Sequence, residues 1–370
     1  VVCVTKSLSA GEPLALNSAS VSFLFILPRF NGFGQDDRCA WLGGQNVASY
    51  SSFAHFLNQN IAPATVCVDL LPLDEEYVNP ELLKVFKPSF AIDDEMSDVY
   101  IAMESAGTKS EFVQGVLARY ADLIAQAHSV FVKPNIVSEE PYPTTTDPRV
   151  LDTVLTYLSG YKVSVTVGDG PAYDYSWRGE EGAVPQGHPL RRVCDAHGVK
   201  LVNLNQREHV KRELPYGLTL PLSVIPDSFD VKISLPVLKR HITCTVTGAV
   251  KNQFGLLDLS ARSAMHRGTP DIHKGIAAIA AVERCNLFIL DAVETLLVAE
   301  EVRHGGKKAF LGYMLAGTDP VALDSAGFDL LKRRDRSITD KSAPDILHLA
   351  YAADCGAGSL KHTLIDFWGE

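Results

Sequence analysis

Several clusters in this 370-residue chain carry side chains that can hold a small anion and move a proton. Lys133-Pro134-Asn135 follows an apolar stretch, and Thr144-Thr145-Thr146-Asp147 comes shortly after it. A lysine at a strand end can reach a site mouth, and threonines beside a helix N-terminus can donate to an anion. A snorkelling lysine and an ordinary helix cap are the plainer alternatives. In Gly168-Asp169-Gly170-Pro171 two glycines flank one carboxylate, so the backbone can approach a ligand closely while Asp169 projects towards it. A simple turn is the alternative there.

The third cluster is the richest. Pro236-Val237-Leu238-Lys239-Arg240-His241 is followed by Gly248-Ala249-Val250-Lys251-Asn252-Gln253-Phe254-Gly255, then by His266 and His273. Residues 232–274 hold seven Lys or Arg and two Asp or Glu, whereas a solvated face usually mixes signs. The expectation is a pocket for a carboxylate or phosphate. Lys133, Asn135, Gly168, Gly170, Lys239, Lys251 and Asn252 are its candidate binding residues. His241 or His266 is the candidate general acid or base, because imidazole titrates near neutrality. Asp169 completes the catalytic set, accepting from a hydroxyl or orienting a histidine. No spacing here is a zinc signature, so whether a metal binds is left open. Two weaker signals are the basic loop Arg303 to Lys308 and the pair Asp319 and Asp324, where a helix cap explains Asp319.

These clusters need elements to position them. Strands are expected at Val99–Ala102, Ser129–Lys133, Lys162–Val167, Lys200–Asn203, Val231–Leu235, Asn286–Leu290 and Leu311–Leu315. Helices are expected at Glu111–Ala127, from Pro148 to Gly160, and at Pro189–Ala196, Ile272–Glu283, Pro320–Arg333 and Pro344–Ala353. Asp147-Pro148 and Asp319-Pro320 each read as an N-cap followed by proline at the first helical position. The alternation predicts an α/β domain with a mostly parallel sheet and helices on both faces. In such sheets ligands collect at the carboxyl ends of the strands.

The polar stretch Asp93 to Asp98 suggests a boundary near 96, giving a smaller N-terminal α/β unit (1–95) and an α/β domain (96–370). The first unit reads as a strand at Val21–Leu27, a Gly-containing loop, a helix near Ser49–Asn58 and a strand at Thr65–Leu70. Its loop is not a dinucleotide fingerprint. The formal net charge is −10, and residues 1–95 carry 11 acidic against 5 basic side chains. That excludes a broad nucleic-acid surface but not a small anionic ligand. The 7 cysteines lie at least 28 positions apart, with no CxxC, which favours buried thiols in a reducing, cytoplasmic setting. Val21–Leu27 is far too short for a membrane span, and no basic region leads from it into a cleavage site. The chain begins without Met, which leaves a removed leader open.

The order of the motifs carries a resemblance. Val132-Lys133-Pro134-Asn135 with Thr-Thr-Asp-Pro, Gly168-Asp169-Gly170-Pro171, Leu235 to His241, Thr247 to Gly255 with His266, and Ala316 to Asp324 together resemble the domain of unknown function 362 family, over about residues 98–332. The resemblance implies an oxidoreductase-like or iron–sulfur protein, since many members carry a two-cluster ferredoxin module. The cysteine spacing lacks that module, so no built-in iron–sulfur cluster is expected, and a separate ferredoxin-like partner would have to supply electrons. A remoter likeness, of architecture, is to the lactate racemase family, whose nickel-pincer cofactor is tethered through a lysine and coordinated by histidine. Lys239 and His241 would be its chemical counterparts here, without a residue-by-residue match. The first 95 residues resemble no named family. The leading expectation is an enzyme binding an anionic small molecule or organic cofactor, with metal-assisted or redox chemistry left open. The alternatives are a racemase-like nickel enzyme and a non-catalytic partner or scaffold of an iron–sulfur system.

Overall fold

The computed structural model describes residues 96–104, 107–172 and 184–369. The elements expected in the first 95 residues, and the boundary near 96, lie outside the described residues. The strands are β1 (Ser97–Met103), β2 (Ser129–Pro134), β3 (Ser164–Asp169), β4 (Lys200–Asn203), β5 (His209–Leu214), β6 (Leu218–Ser223), β7 (Val231–Leu235), β8 (Lys239–His241), β9 (Thr245–Thr247), β10 (Leu287–Leu297), β11 (Lys307–Gly317) and β12 (His362–Asp366). The helices are α1 (Lys109–Arg119), α2 (Ala121–Gln126), α3 (Pro148–Leu158), α4 (Pro189–Ala196), α5 (Ala249–Asn252), α6 (Leu259–His266), α7 (Ile272–Val282), α8 (Pro320–Lys332) and α9 (Leu347–Asp354).

Eight strands form one sheet in the order β12-β1-β11-β10-β7-β2-β3-β4. Only the two pairings of β11, with β1 and with β10, are antiparallel; the rest are parallel. This is the mostly parallel α/β sheet expected from the alternation of strands and helices. Its strands are apolar on both faces because both are covered. Along β10, Phe288, Leu290 and Ala292 join a core with α7, α8 and α9. Their neighbours Leu287, Ile289 and Val293 join a second core with α1, α3 and α4. A strand's period of two assigns successive residues to opposite layers.

Local signals account for several ends. Asp147 accepts from the Arg149 amide with Pro148 opening α3, and Asp319 accepts from Val321 and Ala322 with Pro320 opening α8. Two expected helices are divided. The stretch Glu111–Ala127 starts earlier, at a Thr108/Glu111 capping box, and breaks at Tyr120, whose amide turns back to the Leu117 carbonyl. Pro344–Ala353 splits because Ser342 and Asp345 close their own 3₁₀ turn before α9 begins. The strand β12, the hairpins β5–β6 and β8–β9, and the helices α5 and α6 were not among the elements expected from the sequence. Among the described residues no helix is long and apolar enough to cross a membrane.

The interface of α7 and α9 buries an imidazole at a cost. His348 is fully buried, stacks on His273 with ring centroids 6.3 Å apart, and neither of its ring nitrogens has a hydrogen-bond partner among the described residues. Burial, with the Lys251 charge adding to it, pulls the His348 pKa down to about 3. Its folded pKa is below the unfolded value, so the unfolded chain takes up a proton first as pH falls below about 6.5. The stability this group contributes is intact above that pH and declines towards pH 3. Urea titrations at pH 8 and pH 5 should show wild type losing about 2 kcal/mol more than His348→Leu between the two conditions. An equal pH difference in the two proteins would refute the assignment.

Candidate functional site

The carboxyl ends of β2, β3, β7 and β10 open onto a cavity of about 420 Å³. Each wall begins where a strand stops. Asn135 follows β2, Asp169 and Gly170 close β3, Lys239 and His241 come from β8 just beyond β7, and Glu300 follows β10. The segment between β7 and β10 supplies the roof through α5, with Lys251 and Asn252, and α6, with Arg262 and His266. Eight of the ten residues named from the sequence therefore line one cavity.

Lys133 and Gly168 do not line it. The Lys133 ammonium is buried and donates to Asp169 at 2.5 Å, so it holds the site from beneath instead of standing at its mouth. Asp169 also accepts from the amides of Ile136 at 2.6 Å and Gly170 at 2.8 Å. It fixes the two loops that follow β2 and β3. Gly168 is there for packing, since a Cβ would press on the Phe131 ring at 3.0 Å. His273 stacks on His348 and is not part of the wall.

The two histidines are held in opposite senses. His241 Nδ1 accepts from the amides of Thr243 and Cys244, both at 3.1 Å, which puts the neutral ring's proton on Nε2. His266 Nδ1 lies 2.8 Å from the Arg262 carbonyl, an acceptor only, so the proton is on Nδ1 and the lone pair on Nε2. Burial, and then the positive charge of Lys251, holds His241 well below the ordinary imidazole range. Burial also lowers His266, against the pull of its carbonyl partner. Both rings are neutral at pH 7, and one offers N–H where the other offers a lone pair.

The cations differ in kind. Lys239 is fully buried, donates to Asn135 Oδ1 at 3.0 Å and to the Thr144 carbonyl, and burial draws its pKa down to about 7. Lys251 keeps some solvent exposure, lies 5.6 Å from the Phe254 ring centroid, and has its pKa lowered by burial as well, against the pull of Glu300. It makes no ion pair with any described residue. Arg262 is spent on structure, donating to the carbonyls of Gly170 at 2.8 Å and Pro171 at 2.9 Å and to Asn205.

The local excess of positive charge in residues 232–274 is not the charge of the cavity. Arg240 pairs with Asp335 at 2.8 Å and Lys274 lies over the rings of Tyr216 and Tyr351. Two carboxylates that the sequence motifs did not flag, Glu300 and Glu301, enter the wall from the loop after β10, together with His304. Glu301 is buried and accepts from Ser138 at 2.6 Å and from Arg303 at 2.7 Å. Burial pushes the Glu300 pKa up, but the Ile242 amide, which donates to it at 3.1 Å, together with the Lys251 charge and the His304 contact keeps it below the usual carboxylate range. An acidic pair at the end of a long strand was the available signal. Arg262, four positions before His266 on one helix face, was another.

Fold and site define an α/β protein with a polar, histidine-bearing cavity at the carboxyl edge of its sheet. The chain belongs to the family described as a domain of unknown function (DUF362), whose model matches residues 130–329. No curated protein matches. Among solved structures, the lactate racemase apoprotein from Thermoanaerobacterium thermosaccharolyticum is 14% identical with a TM-score of 0.40, covering 63% of this chain and 56% of its own. A protein from Thermotoga maritima is 10% identical with a TM-score of 0.36, covering 63% and 59% respectively. The chain thus spans less than two thirds of the length of either.

Proposed function

We propose that this chain is an enzyme that takes a small anionic molecule, a carboxylate or phosphate compound, into the cavity and transfers a proton on it. The observation that carries the reading is the meeting, on one cavity, of two neutral imidazoles of opposite tautomer with the Lys251 ammonium. Lys251 neutralises the anion, with the Lys239 and Asn252 region shaping the wall behind it. His266 Nε2 is the acceptor for a substrate proton, and His241 Nε2–H is the donor. Positioned imidazoles of this kind supply roughly 10²–10⁴-fold in rate.

The described residues contain no group of three or more His, Cys, Asp or Glu able to hold a metal ion. His241 Nδ1 is also taken by two amides. No step of the proposal runs through a metal.

Calorimetric titration with inorganic phosphate and simple carboxylates tests the anion half. Lys251→Met should weaken binding by roughly tenfold or more, the loss of a charged hydrogen bond. Equal affinities would sink it. Any carboxylate that binds is then incubated in D₂O and followed by NMR, where His266→Asn should slow deuterium uptake by roughly 10²-fold or more. Binding without exchange or turnover would favour the non-catalytic binding protein instead.

A further inference from the structure

We infer that Asp324 is a positioning residue for the cavity: its carboxylate, on α8, fixes the turn that carries Lys251 and Asn252. The inference takes its functional meaning from the proposed anion role of Lys251.

The helix α5 spans only Ala249–Asn252, too short to hold its own geometry. Its N-cap is Gly248, which has no side chain to satisfy the first amides. The missing cap comes from 75 residues away: Asp324 Oδ1 accepts from the Ala249 amide at 2.5 Å, and Oδ2 from the Val250 amide at 2.9 Å. Lys251 is the next residue. Asp324 is fully buried and makes no ion pair with a described residue, so these amides are the partners its oxygens have. The fit is close on both sides, because a Cβ on Gly248 would run into the Asp324 carboxylate. By contrast Asp319, on the same helix, caps α8 itself and touches Ser97 and Ser359. Two motifs far apart in the chain, Thr247 to Gly255 and Ala316 to Asp324, are thereby one device.

The test uses the full chain with its lysines reductively ¹³C-methylated and the Lys251 signal assigned through Lys251→Arg. Asp324→Asn puts an N–H₂ against one of the two amides, and Gly248→Ala pushes on the same contact from the opposite side. Both should displace the Lys251 signal without ligand and weaken inorganic phosphate binding by roughly tenfold, about one hydrogen bond. Asp319→Asn, which keeps an oxygen for the α8 amides and puts an N–H₂ against the Ser359 amide, should leave that signal in place. A wild-type Lys251 signal in both site variants overturns the inference, as does an equal displacement by Asp319→Asn. If Asp324→Asn does not fold, Gly248→Ala decides alone. If phosphate leaves the wild-type Lys251 signal unmoved, the anion reading fails, and the ligand-free spectra still decide the role of Asp324.

Discussion

Replacing Lys133 with Met should cost about 3–5 kcal/mol of unfolding free energy, because it leaves a buried carboxylate without its counter-charge. Lys133 and Asp169 are 1% and 2% exposed, and their 2.5 Å contact lies beneath Gly255, where a Cβ would press on both. Met keeps most of the apolar stem, so the loss measures the charge and not a cavity. The double variant Lys133→Met, Asp169→Asn should recover part of the loss, since no naked charge remains, though Asn can no longer accept both loop amides. Urea denaturation of the four proteins closes the cycle. A single-variant loss under about 1 kcal/mol, the range of an exposed pair, would contradict the burial argument.

Lys109→Met should be as damaging, at about 3–5 kcal/mol, for a related reason. The buried ammonium donates to Asp147 at 2.9 Å and Asp291 at 2.7 Å and lies 3.9 Å from the Tyr142 ring centroid. Tyr142 donates to the other oxygen of Asp291 at 2.8 Å. One cation therefore ties α1 to the N-cap of α3, to β10 and to the loop that returns to Asn135. Asp147 keeps Arg149 at 2.7 Å, so the orphaned charge would be Asp291. Burial already raises the Asp291 pKa, with Lys109 opposing it. Without Lys109 the folded pKa rises further above the unfolded value, so the folded variant binds an extra proton as pH falls. The deficit should then be largest at pH 8 and shrink towards pH 5. A deficit that does not depend on pH would place the loss in packing instead.

Much of this protein was legible one element at a time. The seven strands expected between Val99 and Leu315 are all in the sheet, because continuous apolar runs ended by Gly, Asp or Pro are local statements. Asp147-Pro148 and Asp319-Pro320 opened helices as their chemistry requires. Motifs at strand ends were also a sound guide to the cavity, since a parallel sheet brings all its carboxyl ends to one edge. Between β7 and β10 the strands β8 and β9 and the helix α5 were not legible, as three or four residues cannot display a period.

By itself the sequence determined the layered α/β class, the order of seven of the eight strands of the main sheet and which polar groups stand at strand ends. Only the tertiary structure decided what those groups do. Lys133 became a buried prop and Lys251 a cation without an ion pair among the described residues, although both read as basic residues at strand or motif ends. Glu300 and Glu301 tempered a segment that is strongly basic when counted alone. Asp324 reached back to cap a turn 75 residues earlier. The physical reason is range. Periodicity, caps and turns act over a few residues and are written along the chain, whereas burial and charge pairing depend on which distant segments the sheet brings within a few ångströms.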